Sequence, residues 1–119
     1  MYTFKYSLIF ESENSTLEEA SLAKYDRIID QLKIEPHHHV LEIGCGWGGF
    51  AKRLLDTTEA IWTGTTISKE QHAYAQKVIK ESGHAGQANL LMDDYRTLSG
   101  SYDRIVSIEM IEAVGHQYL

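Results

Sequence analysis

A glycine-rich turn behind a short apolar run is the feature that most constrains this chain. Residues 39–43 read His-Val-Leu-Glu-Ile, and residues 44–49 read Gly-Cys-Gly-Trp-Gly-Gly. The apolar run predicts a buried strand, and the glycines let the backbone turn sharply into a helix while a ligand approaches the main chain. Free amides at such a helix N-terminus attract polar or negative groups. The segment predicts a nucleotide-like ligand; a turn that only packs helix on strand is the alternative.

The segment before this strand has the pattern of an amphipathic helix. Residues 14–16 read Asn-Ser-Thr and precede two glutamates, which is a helix-capping signal. We expect a helix over 17–32 with Glu18, Lys24 and Asp30 facing solvent. The apolar residues at helical spacing, which should face the core, are Leu17, Leu22, Tyr25, Ile29 and Leu32.

Helices and strands alternate along the rest of the chain. A second capping box at residues 68–71 begins a helix that Gly83 can end. The other expected elements are a helix at 50–55, strands at 60–65, 88–92 and 104–108, and the start of a further helix at 111–114. This alternation indicates an α/β fold with a parallel sheet between two layers of helices.

Composition excludes several classes of function. The chain has 119 residues, 17 acidic against 11 basic side chains and a formal charge of -6, so a single domain that does not bind nucleic acid is expected. One cysteine, Cys45, leaves no internal disulfide, which favours a cytoplasmic location. No run approaches the roughly 20 apolar residues of a transmembrane helix, so contact with lipid should be peripheral.

Two candidate reactive groups are better explained as structural residues. The consecutive histidines at 37–39 cannot all face one ion, and no cysteine or carboxylate cluster completes a set, so no metal is expected. Cys45 has no histidine base near it in the sequence, which favours a packing role in the turn.

Gly44–Gly49 also fit the dinucleotide pattern Gly-x-Gly-x-x-Gly, so a nicotinamide dehydrogenase must be considered. Such a site usually has an acidic residue at the tip of the second strand to hold the ribose. That tip reads Gly64-Thr65-Thr66 here, which argues against the dehydrogenase. With Glu42 two residues before the first glycine, the chain instead resembles class I methyltransferases. These too generally carry an acid at the second strand tip, so its absence here narrows the family.

Four segments together resemble one family of methyltransferases. They are Gly-Cys-Gly-Trp-Gly at 44–48, Thr-Ile-Ser-Lys-Glu-Gln at 66–71, Asp-Tyr-Arg at 94–96 and Arg-Ile-Val-Ser-Ile-Glu-Met-Ile-Glu-Ala-Val-Gly-His at 104–116. From about Tyr6 onward the chain is similar to cyclopropane-fatty-acyl-phospholipid and mycolic acid cyclopropane synthases. The resemblance implies the addition of a methylene group across a double bond of an unsaturated lipid acyl chain. A small-molecule acceptor and a non-catalytic cofactor-binding fragment are the alternatives.

The same resemblance implies a fold and its limits. It implies a Rossmann-like class I methyltransferase fold, present here as parallel strands in the order 3-2-1-4 and truncated at the C-terminus. Residues 1–36 would form a lid segment and a helix, and residues 37–119 the core. With no fifth strand, the fourth strand should be an exposed edge through which copies of the chain could associate.

Site residues also follow from the resemblance. Glu112 would hold a bicarbonate ion that serves the reaction, and His116 is a weaker catalytic candidate. The residues expected to contact S-adenosylmethionine are Tyr6, Ser7, Glu42, Gly44, Cys45, Gly46, Trp47, Gly48, Thr66, Ser68, Gln71, Tyr95 and Arg96. For Ser68 and Gln71, a helix-capping role is the competing interpretation.

Overall fold

The computed structural model describes residues 2–7, 17–93, 96, 98 and 100–111, with side chains described within 19–93, 96, 98 and 100–108. The helices are α1 (Leu17–Leu32), α2 (Gly49–Thr57) and α3 (Lys69–Ser82), and a 3-10 turn spans Ala85–Gln87. The strands are β1 (Tyr2–Ser7), β2 (His39–Ile43), β3 (Ile61–Thr65), β4 (Ala88–Leu91) and β5 (Arg104–Ile111). No described helix is long and apolar enough to cross a membrane.

The strands form one parallel sheet in the order β4-β3-β2-β5-β1. Its first four strands are the predicted order 3-2-1-4, which is confirmed. In the register of the sheet, Glu42 on β2 lies between Gly64 on β3 and Val106 on β5. All strands point the same way, so the segments after β2, β3 and β4 meet at one edge of the sheet, where open α/β folds bind their ligands.

The expectation that the fourth strand is an exposed edge is wrong. β1 pairs with β5 along its length, from Tyr2 opposite Val106 to Ser7 opposite Ile111. The backbone of β5 needs hydrogen-bond partners on both sides, and the β-forming residues of Tyr-Thr-Phe-Lys-Tyr-Ser supply them. Ile111, expected to begin a helix, ends β5 instead. Because β5 is not an edge strand, the structure does not support the association of copies through it.

Helix α1 has the predicted bounds but buries a different face. Ala20, Lys24, Ile28 and Leu32 recur every four residues and are buried, and of these only Leu32 was predicted to face the core. Leu22, Tyr25 and Ile29 of the predicted stripe are half-buried. Lys24 was expected in solvent, yet only 1% of its surface is exposed. Among the described residues its Nζ has no hydrogen-bond partner, and it lies 4.9 Å from the centre of the Tyr25 ring. Burial, and secondly the charge of Arg27, lower the pKa of Lys24 to about 8.

The core is filled by one large ring that depends on a glycine. Trp62 is fully buried in β3 and packs with residues of α1, α2, β2 and β5. A Cβ atom on Gly64 would lie 2.0 Å from Cζ2 of this ring. The ring therefore occupies the space that any side chain at position 64 would need.

Replacing Gly64 by alanine should destabilise the chain by about 1–3 kcal/mol or more, because the methyl group overlaps the indole. In a Trp62→Val background the same change should cost much less, since the ring is gone. Urea unfolding of the two single variants and the double variant measures this coupling. Equal costs of Gly64→Ala in both backgrounds would contradict the packing described.

Lys24→Met should unfold at an equal or higher urea concentration than the wild type at pH 7. It removes a buried ammonium group that has no hydrogen-bond partner in the described part of the chain, and it keeps a side chain of similar length. The folded pKa lies below the unfolded value of 10.5, so the unfolded chain holds more protons between pH 8 and 10.5. Wild-type stability should rise with pH across that window and that of Lys24→Met should not. Lys77→Met, at an exposed position, is the control and should keep the pH dependence of the wild-type stability. If Lys24→Met also kept that pH dependence, the lowered pKa of Lys24 would be refuted.

Candidate functional site

Two cavities meet at Gly44, at the carboxyl ends of the central strands. The strand-end cavity has a volume of about 270 Å³ and the loop cavity about 210 Å³. The strand-end cavity is lined by Ile43, Gly44, Thr65, Thr66, Ile67, Asp93 and Arg96. The loop cavity is lined by Tyr25, Glu42, Gly44, Cys45, Gly46, Trp47, Gly49, Phe50 and Ile108. Both lie where the topology predicts a ligand.

The glycine loop between β2 and α2 separates the two cavities. Gly44, Gly46 and Gly48 have φ values of 71°, 58° and 90°, which side chains rarely adopt. At Gly48, the N-cap of α2, a Cβ atom would also lie 3.1 Å from the Cβ of Ala75. The sequence thus needs glycine here for its backbone conformation and for the contact between the loop and α3.

Hydrogen bonds to β3 hold the start of the loop. The Cys45 amide donates to the carbonyl oxygen of Thr65 at 2.8 Å, and the Gly44 amide donates to Oγ1 of the same threonine at 3.3 Å. Thr65 pairs with Ile43 in the sheet register. Strand pairing therefore sets the position of the loop, including Gly44, the residue that lines both cavities.

Thr66, Ser68 and Gln71 form a local network at the start of α3. The backbone amide of Gln71 donates to Oγ of Ser68 at 3.2 Å, so the capping role is confirmed for the Ser68 side chain but not for that of Gln71. The Ser68 amide donates to Oγ1 of Thr66 at 3.1 Å, and this hydroxyl donates to Oε1 of Gln71 at 3.3 Å. Only Thr66 of the three lines the strand-end cavity. Cofactor contacts by Ser68 and Gln71 stay predictions.

Glu42 is the most perturbed group at the site. Its carboxyl group is 3% exposed and accepts a hydrogen bond from Nε1 of Trp62 at 3.2 Å. Burial raises the pKa of Glu42 to about 8, against the opposing effect of the indole hydrogen bond. Glu42 is therefore largely protonated at neutral pH.

Two further acids line the loop cavity with Glu42. Burial, and then the charge of Glu42, raise the pKa of the Tyr25 phenol and raise that of Cys45 to about 12. A thiol with that pKa is a poor nucleophile, which supports the packing role expected for Cys45. The described lining of this cavity contains three acidic groups and no basic side chain.

Tyr25 and Asp93 line the cavities, although sequence reasoning did not select them. Tyr25 was assigned to the core stripe of α1, and its hydroxyl reaches the loop because Gly49 has no side chain: a Cβ there would lie 2.7 Å from the oxygen. Asp93 follows β4 closely, and a carboxylate just beyond a strand end was the signal that could have found it. Trp47 is 55% exposed and packs edge-on against Tyr74, with ring centres 5.6 Å apart.

Several predicted site residues lie elsewhere or outside the described residues. The backbone of Tyr6 and Ser7 forms the end of β1, two strands away from β2; their side chains are not described. Tyr95, Glu112 and His116 lie outside the described residues, as does the cap expected at residues 14–16. The contacts predicted for all of them stay predictions.

Two of the three consecutive histidines, His38 and His39, have separate polar partners. Nε2 of His38 lies 3.2 Å from a carboxylate oxygen of Glu35, and Nε2 of His39 lies 2.7 Å from Oγ1 of Thr63. Within the described ranges no three histidine, cysteine, aspartate or glutamate side chains are grouped so that they could hold a metal ion.

Comparison with known proteins identifies relatives over nearly the whole chain. Residues 2–119 match the family model described as mycolic acid cyclopropane synthetase. The chain is 39% identical over 108 residues to the methoxy mycolic acid synthase MmaA3 of Mycobacterium tuberculosis, covering 91% of this chain and 37% of the relative. It is 39% identical over 111 residues to the cyclopropane-fatty-acyl-phospholipid synthase of Escherichia coli, covering 93% of this chain and 28% of the relative.

A solved structure shows the same fold. The mycolic acid cyclopropane synthase CmaA1, complexed with SAH and CTAB, superposes with a TM-score of 0.75 at 32% identity, covering 82% of this chain and 34% of that one. The architecture is the Rossmann-like class I methyltransferase fold, as the sequence predicted, and the chain spans about a third of the length of these relatives. The chain belongs to the mycolic acid cyclopropane synthetase family.

Proposed function

We propose that this chain binds S-adenosylmethionine across Gly44, with the adenosine end in the strand-end cavity and the methionine end in the loop cavity. The observation that carries the proposal is the pair of cavities that share this one glycine. The solved relative complexed with SAH supports it.

The chemistry of the two cavities fits the two ends of such a ligand. Asp93 and Thr66 line the strand-end cavity and offer oxygen atoms to the hydroxyl groups of a ribose. Glu42 lines the loop cavity and offers a carboxyl group to the positive charge of an amino acid. The bare backbone at Gly44 lets the ligand pass from one cavity to the other.

We further propose that the whole protein is an enzyme that adds a methylene group across a double bond of an unsaturated phospholipid or another lipid acyl chain. S-adenosylmethionine supplies an activated methyl group when it is bound. Formation of a cyclopropane also requires removal of one proton from the added carbon, so the site needs a base. Glu112, as the holder of a bicarbonate ion, is the candidate for that function, and His116 is a weaker candidate for orienting the acceptor.

Peripheral contact with lipid belongs to the same proposal. Trp47, Tyr74 and Ile67 have 55%, 54% and 82% of their surfaces exposed. Trp47 lines the loop cavity and Ile67 the strand-end cavity, so these apolar side chains rim the site at which an acyl chain would arrive. A cytoplasmic location is proposed on the single cysteine, and nucleic acid is not a proposed partner because the net charge is -6.

Calorimetric titration with S-adenosylhomocysteine tests the cofactor site. The folded 119-residue chain should bind it saturably with one site and should not bind NAD at that site. Asp93→Asn should weaken binding about tenfold, or ~1.4 kcal/mol, because it replaces a charged acceptor. Asp30→Asn, on the exposed face of α1, is the matched control.

Two results would contradict the cofactor assignment. One is the absence of binding by a chain whose folding has been verified by cooperative thermal unfolding. The other is displacement of S-adenosylhomocysteine by NAD, which would favour a dinucleotide site.

Product analysis tests the reaction of the whole protein. Cells that express the complete protein should accumulate acyl chains heavier by one CH₂ group and lacking the original double bond. Methylation of only nitrogen or oxygen in a small molecule would instead identify a different acceptor.

A further inference from the structure

We infer that Glu42 gives up a proton when a positively charged group of the ligand enters the loop cavity, and that the Trp62 indole is the positioning residue that prepares it to do so. The inference rests on the proposed cofactor site and deepens it. It concerns the charge state of the site before and after binding.

The geometry isolates this carboxyl group from solvent and from cations. Glu42 lies in β2 with Gly64 and Val106 beside it on the neighbouring strands, and its side chain borders the loop cavity. Among the described residues, only Trp62 hydrogen-bonds to it. The indole can lie there because Gly64 has no side chain.

The titratable groups around Glu42 do not neutralise a negative charge. Tyr25 on α1 and Cys45 in the loop are acids, while Phe50 on α2 and Ile108 on β5 are uncharged. Lys24 on α1 does not line the cavity, and its Nζ lies beside the Tyr25 ring. A carboxylate in this position would therefore lack a counter-charge within the described lining, which is why burial raises its pKa to about 8.

A cationic ligand supplies the missing counter-charge. S-adenosylmethionine carries an ammonium and a sulfonium group beside its carboxylate, and S-adenosylhomocysteine carries the ammonium and carboxylate groups without the sulfonium. Either cationic group beside Glu42 would favour the carboxylate, so the proton of Glu42 leaves to the buffer and the new negative charge pairs with that cationic group. The Trp62 N–H stabilises the ionised form and fixes the oxygen to which it donates.

Calorimetry in buffers of different ionisation enthalpy counts the released protons. With S-adenosylhomocysteine at pH 7, the folded chain should release close to one proton per ligand bound, and affinity should rise up to tenfold per pH unit between pH 6 and 8. Glu42→Gln should abolish both effects. Equal proton release with S-adenosylmethionine would show that the ammonium group, which both ligands carry, is the cation beside Glu42, and would support the inference.

Trp62→Phe separates positioning from packing. It keeps an aromatic ring but removes the donor, so the midpoint of the pH dependence should move to higher pH. A purely structural role would lower affinity by the same factor at every pH. Trp47→Phe is the control: it alters another ring that lines the loop cavity and has no hydrogen bond to Glu42, so the midpoint should stay in place.

Stability without ligand gives an independent test. The folded pKa of Glu42 is about 8 against 4.5 in the unfolded chain, so the folded state holds one more proton between these values. The difference in free energy of unfolding between the wild type and Glu42→Gln should therefore favour the wild type most below pH 4.5. This difference should fall as pH rises towards 8, by about tenfold in the unfolding equilibrium constant, or ~1.4 kcal/mol, for each pH unit.

The outcomes distinguish this inference from the proposed function. Saturable binding without proton release, or release unchanged in Glu42→Gln, would overturn the inference and leave the cofactor site intact. A stability difference that is flat between pH 4.5 and 8 would overturn it as well. No binding by a folded chain would overturn both.

Discussion

The parallel pairing of β2 with β3 is the constraint on which the rest of the site depends. It sets Ile43 opposite Thr65, and the first two amides of the glycine loop then reach Thr65 for their hydrogen bonds. The loop turns away between the two cavities as a result. The same pairing sets Glu42 opposite Gly64, where the absence of a side chain leaves room for the Trp62 ring. One strand register thus positions both the backbone wall and the buried carboxyl group.

Two ionisable groups are buried, and burial disfavours the charged form of each. Lys24 on α1 and Glu42 on β2 are nearly inaccessible to solvent. Burial lowers the pKa of Lys24 to about 8 and raises that of Glu42 to about 8, which favours the uncharged form of each side chain. For Lys24, no described hydrogen bond compensates the loss of hydration, and only the Tyr25 ring lies beside its ammonium group among the described contacts. For Glu42, the indole compensates part of it, and the cavity beside it leaves room for a ligand to supply the rest. This contrast is why we assign a functional role to Glu42 and none to Lys24.

Features that depend on local pattern could be predicted from the sequence. The bounds of α1, the strand before the glycine loop and the Ser68 cap follow from periodicity and capping residues, whereas the order of four strands was implied by the family resemblance. The place of the ligand at the strand ends follows from the same rules.

Features that depend on contacts between distant residues could not be predicted in this way. The pairing of β1 with β5 joins the two ends of the described chain, and periodicity carries no information on it. Lys24 is buried because it lies on the same face of α1 as Ala20 and Ile28, and this face packs against the core. The hydrogen bond from Trp62 to Glu42 depends on strand register combined with the glycine at 64. Tyr25 has the sequence pattern of a core residue, and its hydroxyl group lies against the loop only because Gly49 has no side chain.

The most direct test of the central claim is an NMR titration of the ¹⁵N-labelled chain with S-adenosylhomocysteine. If the ligand spans both cavities across Gly44, the amide signals of the glycine loop, Thr66 and Asp93 should shift together with a single binding constant. The indole N–H signal of Trp62 should respond as Glu42 ionises. Shifts confined to one cavity, or to α3 and β4 away from the loop, would contradict it.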